Sequence, residues 1–189
     1  MNHKIWMMLA LTLSATGAQA ADTYAGVEFL MADYQESGMS DSLSPKAIAV
    51  KYGIQADQNL GVEFRLGTGI NEGKGSNMTI DTGLGSVVAS DVTVNLDLLL
   101  GIYGKATLPM TDVLQVYGIA GITSVETTAD VTIAGFKGSA NSTGTEFSYG
   151  AGFAFKPNDK TTLTTEYMMM VDNGDVQITS LNLGFAMKF

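Results

Sequence analysis

An all-β chain closing into an eight-stranded antiparallel transmembrane β-barrel is the fold class this sequence predicts, on three observations. First, Thr179–Phe189 alternates strictly, with Leu181, Leu183, Phe185, Met187 and Phe189 on one parity and Ser180, Asn182, Gly184, Ala186 and Lys188 on the other. That period marks a strand with one apolar and one polar face, of a length that crosses a bilayer when tilted. Second, the same alternation recurs upstream, and the charges fall on the polar parity. Third, the connections alternate between short turns and long loops, as a barrel with both termini at one end requires.

Residues 1–20 precede this pattern and read as a secretory signal peptide. They have a basic start (His3, Lys4), an apolar run over Ile5–Leu13 and the ending Ala18-Gln19-Ala20, so cleavage is expected before Ala21. Residues 21–189 then form a single barrel domain. Removal of the leader takes away the only His, the only Trp and one Lys, making the chain one unit more negative than its full-length −9. An acidic chain is a poor nucleic-acid binder. The absence of Cys excludes disulfides and thiol nucleophiles, and with no His it removes the usual soft metal ligands, so no cofactor is expected.

Eight segments follow in order. Tyr24–Asp33 aligns Ala25, Val27, Phe29 and Met31 against Glu28. Ala47–Gln55 sets Ile48, Val50, Tyr52 and Ile54 against Lys51. Leu60–Ile70 sets Leu60, Val62, Phe64 and Leu66 against Glu63 and Arg65. The fourth aligns Val92, Val94, Leu96, Leu98, Leu100 and Ile102 against Asp97 and Lys105. The fifth, Val113–Val125, is apolar or glycine at both parities and has no assignable face. The sixth sets Phe147, Tyr149, Ala151, Phe153 and Phe155 against Glu146 and Lys156, and the seventh sets Leu163, Thr165, Tyr167, Met169 and Val171 against Glu166. The eighth is the terminal strand, with Lys188 on its polar face.

A charge facing lipid near the midplane costs about 2–4 kcal/mol, which explains why the charges avoid the apolar parity. A soluble sandwich or lipocalin-like barrel would alternate in the opposite sense, apolar inside. The glycine-rich polar parity and the final Phe favour the membrane arrangement. Turn chemistry marks short connections at residues 56–59, 109–112 and 157–160 and a tight final turn at 172–175. Long connections run over residues 35–46, 71–91 and 126–144. Met78, Ile80, Val87, Val88, Val131 and Ile133 recur in the last two, with turn candidates at 83–85 and 135–138, so strands three to six are expected to continue beyond the membrane as a raised sheet.

The passage YGKATLPMTDVLQVYGIAG and the ending Gly184-Phe185-Ala186-Met187-Lys188-Phe189 resemble the small outer-membrane β-barrel family that includes the OmpX and OmpA transmembrane domains. The resemblance covers residues 21–189. It implies a bacterial outer-membrane location, short periplasmic turns, longer extracellular loops and a chain that stays monomeric. It also implies that Phe185, Met187 and Phe189 form part of the signal read by the barrel-assembly machinery. Barrel enzymes of this architecture depend on a catalytic His, and the processed chain has none, so no enzyme is expected.

The inward ionisable set is Glu28, Lys51, Glu63, Arg65, Asp97, Lys105, Glu146, Lys156, Glu166 and Lys188. Side chains just fill an eight-stranded lumen, so these charges either form a satisfied polar plug or exchange partners along a gated ion path. Tyr24, Tyr52, Tyr103, Tyr149, Tyr167, Phe155 and Phe189 read as rings anchored at the membrane interface. Glu36, Asp41, Glu72, Asp81, Glu126 and Asp130 form either a solvated rim or sites for divalent cations bridging lipopolysaccharide phosphates. The expected role is structural and adhesin-like, with the raised loops contacting a host or environmental ligand among outer-membrane lipid and lipopolysaccharide. The alternative is a narrow channel for ions or small solutes.

Overall fold

The computed structural model describes residues 22–81 and 85–189, so the leader, the cleavage residues Ala18, Ala20 and Ala21, and the turn residues Gly83 and Leu84 lie outside the described residues. Nine antiparallel strands are present among the described residues: β1 (Asp22–Glu36), β2 (Lys46–Gln55), β3 (Leu60–Asn71), β4 (Gly73–Asp81), β5 (Ser86–Pro109), β6 (Leu114–Ile133), β7 (Phe136–Asn158), β8 (Thr161–Asp172) and β9 (Val176–Lys188). Their order is β3-β2-β1-β9-β8-β7-β6-β5-β4, and pairing of β3 with β5 closes the ring.

The expected eight staves are present, and one of them is interrupted. β3 runs beside β5 from Leu60↔Ala106 to Gly67↔Leu99, and β4 resumes along the same strand from Gly73↔Val94 with the register moved by one residue. β3 and β4 are thus two halves of one stave, broken at Glu72. The ladder between β5 and β6 slips at the same level, between Leu96 and Leu98. An extra residue in one strand is a β-bulge, which turns every later side chain to the opposite face.

That bulge corrects the fourth segment. Leu100 and Ile102 face outward, whereas Val92, Val94 and Leu96 are buried inside. The fifth segment, whose faces its sequence leaves open, points Tyr117, Ile119, Thr123 and Val125 inward and Ile122 outward. A slip between Met169 and Val171 likewise buries Val171, which its parity places outside. Elsewhere the outward parity holds, with Val27, Val50, Phe64, Phe153, Leu163, Leu183 and Phe185 all exposed.

The turns at both ends share one device. Asp57 Oδ1 accepts from the N–H groups of Asn59 and Leu60, Asn158 Oδ1 from Lys160 and Thr161, and Asn173 Oδ1 from Asp175 and Val176. These caps satisfy backbone donors that no ladder reaches. The same two donors hold the Asp57 carboxyl below the usual carboxylate range, so its contribution is present at neutral pH and is lost on acidification through that lowered value.

At the opposite end β5, β6 and β7 run to 24, 20 and 23 residues, against 10 and 12 in β2 and β8. They form the expected raised sheet with β4. The β6–β7 hairpin turns at Ala134-Gly135, both at positive φ (49° and 85°), with Ile133 paired to Phe136. The turn therefore precedes the expected position at 135–138 and uses the two-residue geometry that matches strand twist.

Candidate functional site

The interior divides into two layers. Toward the extracellular end it is apolar: Leu30, Met168, Met170, Leu96, Leu99, Val92, Val94, Val125 and Ile178 pack together, with Leu43 folded in from the β1–β2 connection. Toward the periplasmic end it is ionic. The sequence reading anticipates the charges but not the apolar layer, because above the bulge the inward residues of β5 lie on the other parity.

Arg65 is the centre of the ionic layer. Its Nη1 and Nη2 reach the two oxygens of Glu166 at 2.7 and 2.9 Å, a bidentate fork. Its Nε donates to Glu63 Oε1 at 2.7 Å, and Nη1 lies 3.1 Å from Glu28 Oε1. The guanidinium also sits 5.0 Å from the centre of the Tyr103 ring. Lys51 donates to Thr164 Oγ1 at 3.1 Å and to Glu28 Oε2 at 3.4 Å, while Lys105 lies 3.6 Å from Glu63 Oε2 and 4.0 Å above the Tyr117 ring. Asn182 Nδ2 donates to Glu166 Oε1 at 3.1 Å.

The ladders bring these groups together. Arg65 pairs with Lys51 across β2–β3, and Glu63 pairs with Tyr103 across β3–β5. Glu28 on β1 and Glu166 on β8 flank β9, where Gly184 and Asn182 are their respective partners. Three carboxylates thus face three cations, and the layer is neutral. A buried charge set survives only when it is paired and hydrogen-bonded in this way.

Six of the ten expected luminal charges therefore converge: Glu28, Lys51, Glu63, Arg65, Lys105 and Glu166. The other four do not. Asp97 sits at the bulge, is exposed and accepts from Thr128 at 2.6 Å and Asn95 at 2.9 Å. Glu146 is half-buried midway along β7, above the ionic layer. Lys156 and Lys188 lie at the periplasmic mouth, where Lys188 pairs with Asp22.

Two rings expected at the membrane interface belong to the lumen instead. Tyr24 donates its hydroxyl to Glu63 Oε2 at 2.5 Å, and Tyr103 is buried with its hydroxyl 2.7 Å from Thr123 Oγ1. Tyr52, Tyr149, Tyr167, Phe155 and Phe189 are exposed on the outward face, as expected. A signal for the inward rings was present: a Cβ at Gly53 would strike the Tyr24 ring and one at Gly101 the Tyr103 ring, so these glycines hold open the space the rings fill. Tyr24→Phe is expected to cost about 1.5–3 kcal/mol, since the lost bond goes to a charged group, and Tyr103→Phe about 0.5–1.5 kcal/mol. Urea midpoints of the two variants check this order; an interface role for Tyr24 would leave its midpoint unchanged.

The formal charge is unevenly distributed. Above the ionic layer lie Asp33, Glu36, Asp41, Glu72, Asp81, Asp91, Asp97, Glu126, Asp130, Glu146, Asp172 and Asp175, against only Lys46, Lys74 and Lys137. The extracellular end is therefore strongly acidic while the lumen is balanced. A cup of about 490 Å³ opens there, with Tyr34, Val92, Val94, Ala129, Val131 and Val176 in its wall and Glu36 at its rim. Among the described residues no group of three or more His, Cys, Asp or Glu side chains converges on a metal-sized site. No helix among them is long and apolar enough to cross a membrane, which says nothing of crossing by strands.

A family model described as the outer membrane protein beta-barrel domain matches residues 7–189. Among solved structures the chain is similar to Ail, the attachment invasion locus protein of Yersinia pestis, at 15% identity and TM-score 0.59, covering 89% of this chain and 99% of that one. It is similar to OprG from Pseudomonas aeruginosa at 17% identity and TM-score 0.56, covering 92% and 98%. Neisserial surface protein A is similar at 14% identity and TM-score 0.55, covering 88% and 97%. No curated protein matches the chain.

Proposed function

The chain belongs to the outer membrane protein beta-barrel domain family and is an outer-membrane β-barrel, and on that premise we propose that it acts at the cell surface as a non-enzymatic, adhesin-like protein. The observation that carries this reading is the raised sheet. β5, β6 and β7 extend well past the strands beside them and present backbone and acidic side chains to the exterior, while the lumen below is filled. Exposed strand edges are templates for partner binding.

The channel alternative would require water to pass both the Arg65 layer and the apolar layer above it. Apolar constrictions exclude water, and the paired charges beneath leave no free ionic path. The purified protein is accordingly expected to be silent in planar bilayers. Discrete conductance steps from correctly folded protein would replace the surface reading with the channel.

Cells carrying the protein with residues 73–90 and 126–141 replaced by tight turns are expected to lose surface binding while the barrel still assembles, as followed by the heat-dependent gel shift. Unchanged binding would remove the basis of the adhesin-like role. Ail has been solved in complex with a heparin analogue, a polyanion. The acidic extracellular end here does not suit that ligand chemistry.

Several supporting roles belong to the same proposal. Residues 1–20 direct export and are removed before Ala21. The outward-facing Phe185, Met187 and Phe189 on the strand that closes against β1 serve as the assembly signal. The folded barrel is a monomer surrounded by outer-membrane lipid and lipopolysaccharide.

A further inference from the structure

Three features of the extracellular end meet at one place. The first is a free strand edge. β7 pairs with β6 along its whole upper length, from Phe136↔Ile133 downward, but its ladder with β8 begins only at Tyr149↔Met169. Phe136–Phe147 therefore carries backbone donors and acceptors with no ladder partner on its second side among the described residues. The opposite edge of the raised sheet is different, because β4 is bridged by the β1–β2 connection at Met39↔Ile80 and by Ser40 N–H to Thr79 O.

The second feature is the cup beside that edge. Gly138, Ala140 and Ser142, the inward residues of upper β7, line it with small side chains beside Val131 and Ala129, the β6 ladder partners of Gly138 and Ala140, and Val176 of β9 also lines it. A strand added along β7 would place alternate side chains over this cup and the others toward solvent, by the period of two. The third feature is charge: Glu36 borders the cup, and with Asp172 and Asp175 it lines an adjoining depression at the tops of β1, β8 and β9. Lys137 is the one cation of the upper β7 strand.

We infer that the free edge of β7 is a strand-addition site for an extended, cationic, amphipathic peptide segment, whose apolar residues enter the extracellular cup and whose Lys or Arg side chains meet the acidic rim. Each feature selects one property of the partner. The edge demands a segment able to extend, the cup demands alternate apolar side chains, and the rim demands positive charge. A polyanion meets none of the three. The site rests on the surface role proposed above and gives that role a partner chemistry.

The test uses the protein purified from membranes and placed in zwitterionic phosphatidylcholine nanodiscs, with fluorescent peptides of alternating Lys-Val, Lys-Ser and Glu-Val as probes. The Lys-Val peptide is expected to bind about tenfold more tightly than Lys-Ser, the difference reporting apolar burial in the cup. It should weaken as salt rises and as Glu36→Gln, Asp172→Asn and Asp175→Asn are combined. Backbone amides of Phe136–Phe147 should gain protection from hydrogen exchange in its presence, and the Glu-Val peptide should not bind.

Equal binding of Lys-Val and Lys-Ser without added protection in β7 would mean charge adsorption only and would overturn the strand-addition site. Absence of binding by either would overturn the partner chemistry. Replacement of residues 136–146 by a tight turn, read by cell-surface binding without any peptide, separates that outcome from failure of the surface role itself. If surface binding falls while Lys-Val does not bind, the surface role stands and the partner is of another kind.

Discussion

Arg65→Ala is expected to destabilise the folded barrel by about 3–5 kcal/mol, the cost of removing one partner from a buried ion pair. The size follows from its contacts. Arg65 bridges Glu28, Glu63 and Glu166, and without it three buried carboxylates are left with Lys51 and Lys105. Glu166 loses both arms of its fork and keeps the amide of Asn182, the hydroxyl of Tyr117 and whatever water enters.

The variant should show a smaller heat-resistant gel-shifted fraction on refolding and a lower urea midpoint. Adding Glu166→Gln to Arg65→Ala should recover part of the loss, because it removes one of the stranded charges. A bidentate site also predicts that Arg65→Lys is costly, since an ammonium cannot reproduce the planar fork. The conductance of the same variant separates the two readings of the lumen. A plug that loses Arg65 unfolds more easily and stays closed, whereas a gate would keep its stability and begin to conduct. An unchanged urea midpoint would show that the ionic layer does not hold the barrel together.

Leu99→Ala and Leu100→Ala are expected to differ sharply although the residues are neighbours. Leu99 is fully buried in the apolar layer, and truncation there leaves a cavity that costs about 2–5 kcal/mol. Leu100 is 45% exposed on the outward face, and its truncation removes lipid contact only, at under about 1 kcal/mol. Leu96→Ala should behave like Leu99→Ala. Strict alternation predicts something else, since it puts Leu96 and Leu100 on one face. If the urea midpoints of Leu96→Ala and Leu100→Ala coincide, the slip at Asp97 is absent and the strand is regular.

The same strand shows why the sequence was only partly legible. Alternation assigned β1, β2, β7 and β9 correctly, because each keeps one register along the membrane and lipid penalises any charge on its outer face. A bulge leaves no mark in composition. Val92, Val94 and Leu96 look identical to lipid-facing residues because both the lipid and the extracellular core select apolar side chains. Tyr103 and Tyr24 were misplaced for a related reason. An amphipathic ring suits the membrane interface and the mouth of a polar lumen equally, and only the space over a neighbouring glycine distinguishes them.

Among the charges, membership of the ionic layer depended on height as well as parity. Glu28, Lys51, Glu63, Arg65, Lys105 and Glu166 lie at one level of the barrel, and parity alone could not exclude Glu146 above them or Lys156 and Lys188 below.

The sequence by itself determined that the chain is a closed antiparallel barrel, which parity faces lipid over most of its length, where its short turns lie and that strands three to six rise beyond the membrane. These follow from local rules, the period of two, turn chemistry and the cost of charge in lipid, and each acts within about ten residues. The tertiary structure decided that β3 and β4 are one broken stave, that the lumen is an apolar layer over a neutral ionic one, and that β7 has a free edge beside an acidic cup. Those depend on register between strands distant in sequence, and a one-residue slip changes every side chain beyond it.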